Sequence, residues 1–247
     1  MTGELRVIPL QGIPELDEGD DLAALLLESA VRAGGLEHDD VLVVAQKVVS
    51  KVEGRVVELA GVEPSERARE LAGELDPRRF EVILREAREV VRSRPPLVIA
   101  ETRHGFVCAS AGVDASNAKG PDTLVLLPLD PDASAERLRG AIRNLTGVEI
   151  GVVVSDSFGR AWRRGTTDVA LGVAGIHALL DLTGRRDAAG YELHATEIAV
   201  ADELAGAAQL VMGKTDGIPA AIVRGVRIRG EGRGSDLLMP RERDLFR

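Results

Sequence analysis

Aromatic side chains are nearly missing from this chain: four Phe, one Tyr and one Trp in 247 residues. Proteins that grip single-stranded nucleic acid stack bases on aromatic platforms set in basic grooves. With so few aromatics and a formal charge of −9, the chain has neither, which argues against a nucleic-acid partner. Cys108 is the only cysteine, so there is no intrachain disulfide framework. No apolar run approaches the roughly 18 residues of a membrane span. The start, MTGELRVIPLQG, has no apolar leader segment. These absences predict a cytoplasmic protein with no membrane partner. Asn and Gln total five beside abundant Arg and Glu, the composition of a warm-growing or GC-rich source. Lysine is also scarce, four against 27 Arg, which makes each lysine informative.

What remains is ordinary for a globular enzyme, with 45% apolar and 29% charged residues and enough length to bury a core. Strands are predicted at 5–9, 41–45, 97–101, 106–110, 123–128, 150–154 and 220–228. Helices are predicted at 20–33, 64–75, 77–93, 134–146 and 195–212, with Asp76 and Pro77 marking one start and Gly34-Gly35 and Gly213 marking stops. A polar, Gly-rich loop is expected from Ser155 to Asp168, and the stretch 230–247 reads as a Gly- and charge-rich tail. The order is not a regular βαβ alternation, so the expected class is α+β with mixed or antiparallel sheets, in two intimately connected lobes.

Several motifs fail on inspection. Met212-Gly213-Lys214-Thr215 contains Gly-Lys-Thr, but Ala208 stands where a P-loop needs Gly and the segment closes a helix, so its simplest reading is a helix cap and turn. His38, His104, His177 and His194 are scattered without zinc spacing, and His104 reads as a surface turn residue. No Gly-x-Ser-x-Gly elbow appears, and Cys108 lies in an apolar strand, more like core than nucleophile.

Two acids carry more. Asp156 follows the apolar run IGVVV, and Asp114 follows FVCASAGV. Carboxylates just past buried strands sit rigidly at a sheet edge and suit Mg²⁺ or Mn²⁺ carrying nucleotide phosphates, although most such Asp residues only cap turns. Lys47 and Lys51, with Gln46 beside them, follow the strand VLVVA; they either meet a triphosphate or form an exposed i, i+4 face. Ser157 to Gly165 packs Arg160, Arg163, Arg164 and the only Trp between two Gly. Guanidinium forks suit phosphates and carboxylates, so in an acidic chain this cluster reads as an anion site or as a solvated loop.

These strings resemble the coenzyme F420-0:L-glutamate ligases, or gamma-glutamyl ligases. The similarity rests on Gln11-Gly12-Ile13-Pro14, EGDDLAALL, VLVVAQKVVSKVEGR, ETRHGFVCASAGVDASN, DPDASAERLR, SDSFGRAWRRGTTDVALGVAGI and ADELAGAAQLVMGK, which together span roughly 7–228. The resemblance implies one ligase domain over 1–229, an α+β two-lobed subunit, and an intertwined homodimer in which Leu237, Leu238, Met239 and Phe246 of the tail are interface candidates. It implies a GTP-dependent enzyme that adds L-glutamate to the deazaflavin phosphodiester coenzyme F420-0, then further glutamates by gamma-linkage. An acyl phosphate is the implied intermediate.

The resemblance also implies guanine-nucleotide contacts at Gln11, Gly12, Ile13, Pro14, Gln46, Lys47, Lys51, Asn117, Met212, Gly213, Lys214, Thr215, Asp216, Gly217 and Ile218. The implied ligands of Mg²⁺ or Mn²⁺, as two divalent ions with K⁺ as a further ion, are Asp114, Asp156 and Ser157. Asp114, Asp156, Arg160 and Arg163 are the catalytic candidates, the arginines as grips on the anionic substrate and the transferring phosphate. The chain departs from the family pattern in three ways. Lys214 stands where a Gln helps hold metal, and a charged Lys offers no lone pair to a cation. Ala161 replaces a frequent Pro. The chain ends too early for the flavin domain appended in some bacterial relatives. The competing readings are a nucleotide-dependent ligase for another acidic acceptor and a non-catalytic nucleotide or deazaflavin binding protein.

Overall fold

A computed structural model describes residues 3–246. Its centre is a five-stranded mixed sheet in the order β1-β12-β2-β8-β9. The strands are β1 (Arg6–Pro9), β2 (Val41–Ala45), β8 (Gly151–Arg160), β9 (Arg163–Ala174) and β12 (Ala220–Arg224). Only β2 and β8 pair in parallel; the other neighbours are antiparallel.

Both faces of this sheet are covered, which is why β2 reads as an unbroken apolar run. Leu42, Val44, Val152 and Val154 face α1 (Leu22–Arg32) and α5 (Pro131–Thr146). Val41, Val43 and Val153 face α6 (Val200–Met212), whose Ala201, Ala205 and Ala208 allow close approach. At the edge of β2 the chain passes directly into α2 (Gln46–Val52).

Seven further elements lie between α2 and α5 in the chain. They are β3 (Val56–Glu58), α3 (Glu66–Ala72), α4 (Pro77–Glu86), β4 (Ala87–Arg94), β5 (Leu97–Thr102), β6 (Val107–Ala109) and β7 (Thr123–Val125). The order β4-β5-β6 forms one small antiparallel sheet and β3-β7 another. Phe80, Ile83, Val98 and Ala100 form one core here, and Leu59, Val82, Leu124 and Leu126 a second. The short β10 (Leu180–Asp181) and β11 (Glu197–Ile198) pair with each other at the base of an exposed excursion. The α+β class with mixed and antiparallel sheets is therefore observed.

Some boundaries differ from expectation. The helix expected over 77–93 ends at Glu86, and Ala87–Arg94 instead pairs along β5. Val90 and Val91 are β-branched and suit that ladder. The loop expected from Ser155 to Asp168 is a hairpin: β8 runs to Arg160 and β9 starts at Arg163. The helix expected from 134 starts at Pro131, capped by Asp130, which accepts from the Ala133 N–H at 2.9 Å. The helix expected from 195 starts at Val200, because Glu197 and Ile198 are taken up by β11. The last strand stops at Arg224, since Gly225 turns with φ +102°. His104 is not a free surface residue; its Nε2–H reaches the carbonyls of Pro128 and Leu129 at 2.9 and 3.0 Å.

The tail folds back on the body. Gly234 lies so close to β9 that a Cβ there would sit 2.0 Å from the Leu171 carbonyl oxygen, and its N–H reaches Asp132 at 2.6 Å. Leu237 and Leu238 pack on the chain's own core, whereas Met239 and Phe246 are exposed.

Candidate active site

The parallel pair β2–β8 builds the site. Its register sets Val44 beside Val154 and Ala45 beside Ser155, where β2 ends and the parallel pairing stops while β8 runs on. Ligand sites form outside the carboxyl ends of such parallel strands. Gln46 and Lys47 leave β2 there, and Asp156 and Ser157 continue β8 there. The turn after α6 supplies Met212, Gly213, Lys214, Thr215, Gly217 and Ile218, and Ile13, Pro14 and Asn117 close the rim. Together they line a cleft of about 390 Å³. A larger cleft of about 860 Å³ lies elsewhere, where 226–233 passes over the start of α5; of its acids, Asp39 pairs with Arg229 and Asp132 accepts from backbone N–H groups.

Lys47 is largely buried and donates to the Asp114 carboxylate and to Ser116 Oγ, both at 2.6 Å. Burial would raise the Asp114 carboxyl, but Lys47 and the Ser116 N–H outweigh it and hold it below the usual range. Lys51, one turn further on, pairs with Glu15. Gln46 is fully buried; its Oε1 accepts from Ser50 Oγ at 2.8 Å, while its Nε2 has no partner although Gln46 lines the cleft. An orphaned buried donor of this kind is rare and suits an acceptor on a bound molecule.

Burial pushes the Asp156 carboxyl up to about 6; the Asp114 charge adds to this, and the Ser157 N–H, Lys47 and Lys214 oppose it. Across the β8–β9 ladder Ser157 lies opposite Asp168 and donates its hydroxyl hydrogen to it. Gln209 of α6 accepts from the Asp168 N–H at 3.1 Å and extends its Nε2 to Ser157 Oγ at 3.5 Å. Asp168 and Gln209 escaped the sequence reading, as did Glu15. Asp168 sits in a polar strand start that looks solvated until its pairing with Ser157 is known.

Not every candidate lines the cleft. Gln11 and Gly12 are tied to α1, their carbonyls facing Arg32, and Asp216 lies in the turn beside Gly213. Asp114 reaches the cleft through Lys47. Arg160 and Arg163 flank the exposed hairpin tip beyond it. Gly213 caps α6, bonding back to Gln209, so the Gly-Lys-Thr string closes a helix as expected. Cys108 is buried core; burial and the nearby Asp156 charge push its thiol up to about 12.

A divalent cation fits the oxygens present. Among the described residues no three His, Cys or acidic side chains gather closely enough to hold a metal alone. Asp156, Asp114 and Ser157 supply oxygen donors only, the set for a hard ion that completes its shell with phosphate and water. Lys214 lies in the cleft wall and has no lone pair with which to ligate a cation.

The sequence profile of the F420-0:gamma-glutamyl ligase family matches residues 12–225. The chain belongs to that family. It is 44% identical over 252 residues to the coenzyme F420:L-glutamate ligase of Methanothermobacter thermautotrophicus, covering 98% of this chain and 99% of the relative. It is 48% identical over 217 residues to that of Methanocaldococcus jannaschii, covering 86% of each. The Methanopyrus kandleri ligase is 46% identical over 251 residues, covering 98% of each. Among the described residues no helix is long and apolar enough to cross a membrane.

Proposed function

We propose that this protein is a GTP-dependent ligase that joins L-glutamate to coenzyme F420-0 in coenzyme F420 biosynthesis. One observation carries the reading: the parallel strands β2 and β8 deliver two lysines, a buried orphan amide and the Asp156–Ser157 pair into one cleft. Family membership and full-length relatives named for this activity support it.

The acceptor carboxylate is a poor acyl donor. Its oxygen takes the γ-phosphoryl group of GTP, and the bond to the GDP oxygen breaks. The glutamate amine, having lost a proton, attacks the acyl carbon of that acyl phosphate. Inorganic phosphate leaves and an amide remains; the same steps on a terminal γ-carboxylate lengthen the chain. Catalysis here is positioning and charge neutralisation. Lys47 and Lys51 bind phosphate oxygens, Gln46 Nε2 orients an acceptor atom of the nucleotide, and Lys214 holds a second anionic oxygen. Asp114, Asp156 and Ser157 would hold Mg²⁺ or Mn²⁺, which supplies charge neutralisation at the phosphates. The reading includes a two-lobed subunit in an intertwined homodimer, testable by light scattering.

The decisive experiment is mass spectrometry of a reaction holding F420-0, GTP, L-glutamate and Mn²⁺. A ladder of products rising by glutamyl units, with GDP released, is the expected result. GTP bound without any new product would overturn the reading. Asp156→Asn should abolish the ladder while circular dichroism stays native.

A further inference from the structure

The tip of the β8–β9 hairpin carries a feature that the cleft chemistry does not use. Two residues, Ala161 and Trp162, join Arg160 to Arg163. Trp162 has φ +56°, at a turn position where Gly or Asn is usual and a bulky side chain is strained. Its indole is 85% exposed and touches only one other ring, Phe246, at 4.7 Å between centroids and tilted by 57°. Leaving the chain's sole indole in water, on a strained backbone, is unfavourable on both counts. Around it stand Arg160, Arg163 and Arg164, all exposed, and Arg160 also reaches the Arg164 carbonyl at 3.4 Å. Arg160, Arg163 and Arg164 form no ion pair with a described carboxylate, in contrast to Arg224 with Asp40 and Arg241 with Glu89.

A flat apolar ring beside unpaired guanidiniums is complementary to a planar, anionic aromatic molecule. The ring supplies a stacking surface, and the forks match phosphate oxygens. Position adds a constraint. Arg160 lies four residues beyond Asp156 on the same strand, about 13 Å away at ~3.3 Å per residue. A molecule gripped at the tip can therefore reach the cleft only if it is extended and carries its reacting group at the end remote from its ring.

We infer that the hairpin tip is the acceptor subsite: Trp162 stacks on the deazaflavin ring, and Arg160 and Arg163 hold the phosphodiester, so that the acceptor lies along β8 with its carboxylate at Asp156. This rests on the ligase reading above and assigns the tip to substrate binding. It moves Arg160 and Arg163 from the phosphoryl-transfer centre to the acceptor's anionic linker.

Trp162 being the only tryptophan, its emission reports the subsite directly. Titrating F420-0 into the wild-type protein should quench that emission saturably, and adding GTP alone should not. Trp162→Ala should raise KM for F420-0 by about tenfold or more, the scale of an aromatic stacking contact, with KM for GTP unchanged. Trp162→Phe should recover most of the loss. Arg160→Gln with Arg163→Gln should raise the same KM and flatten its dependence on salt. An unchanged KM for F420-0 in Trp162→Ala, or emission indifferent to F420-0 while product forms, overturns the subsite and leaves the ligase reading intact. A variant that instead changes oligomeric state in light scattering, with F420-0 affinity retained, also overturns it, because the tip is then a contact between copies. Absence of product from the wild-type protein strikes the ligase reading alone, since the quenching titration decides the subsite without turnover.

Discussion

Ser157 and Asp168 face each other across the β8–β9 ladder, and the serine hydroxyl donates to the aspartate. Gln209 approaches the same oxygen from α6, so Ser157 Oγ is held from two sides and keeps one lone pair for the cleft. Outer partners of this kind orient a ligand oxygen, and their removal commonly costs about 10–100-fold in metal affinity or activity. Asp168→Ala is expected to weaken Mn²⁺ binding within that range, measured by electron paramagnetic resonance of free Mn²⁺. Asp168→Asn, which still accepts the hydroxyl hydrogen, should recover much of it. Equal Mn²⁺ affinity in all three proteins would refute this role.

Asp156 gives a pH dependence of defined sign. Its carboxyl is raised to about 6 in the fold, above the usual ~3.9 of an unfolded chain. Below about pH 4 both states hold the proton and the group costs nothing. Between about 4 and 6 only the folded state holds it, so stability from this site falls as pH rises. Metal-free Asp156→Asn should therefore melt higher than wild type at pH 7.5, with the gap closing near pH 4. Cation affinity of the wild-type protein should drop about tenfold for each unit below pH 6. A wild-type Mn²⁺ affinity flat from pH 7 to 5 would show that Asp156 is ionised throughout.

Gln46 separates binding from stability. Gln46→Met removes the unpartnered Nε2 donor but leaves the Ser50 hydroxyl without its acceptor, so one orphan replaces another. The melting temperature should move little, while Kd for GTP rises by about tenfold. Calorimetric titration with GTP, beside a thermal melt, distinguishes this from a general loss of packing.

Cys108 should be silent toward thiol reagents. A buried thiol raised to about 12 holds almost no thiolate at pH 8. Labelling by a chromogenic disulfide reagent should be negligible in the native protein and stoichiometric in denaturant. Fast native labelling would mean that β6 opens readily.

Legibility of the sequence followed burial. VLVVA and IGVVV stand out because both faces of the sheet are covered, and no polar residue interrupts them. The ends of those strands pointed to Lys47 and Asp156 by position alone. The outer half of the β8–β9 hairpin was opaque because both its faces meet solvent, so no alternation marks it as strand. The end of α4 was opaque because Arg85, Glu86, Arg88 and Glu89 continue a helical charge pattern into β4. Asp168 and Gln209 act through partners 11 and 52 residues away from them in the chain, a relation that only the pairing of β8 with β9 and the seat of α6 create. Most of the nucleotide-contact assignments came from family resemblance, since glycines and turns state no ligand.

The parallel pair β2–β8 has a thermal consequence. Lys47 leaves the end of β2 as the second residue of α2, and Asp156 lies on β8, the strand paired with β2, so the spacing of their backbone anchors is a mechanical property of the sheet. Heating loosens loops long before it parts buried strands. Turnover should therefore follow a straight Arrhenius line up to the unfolding transition and then fail abruptly, the signature of a rigid frame that works until it breaks.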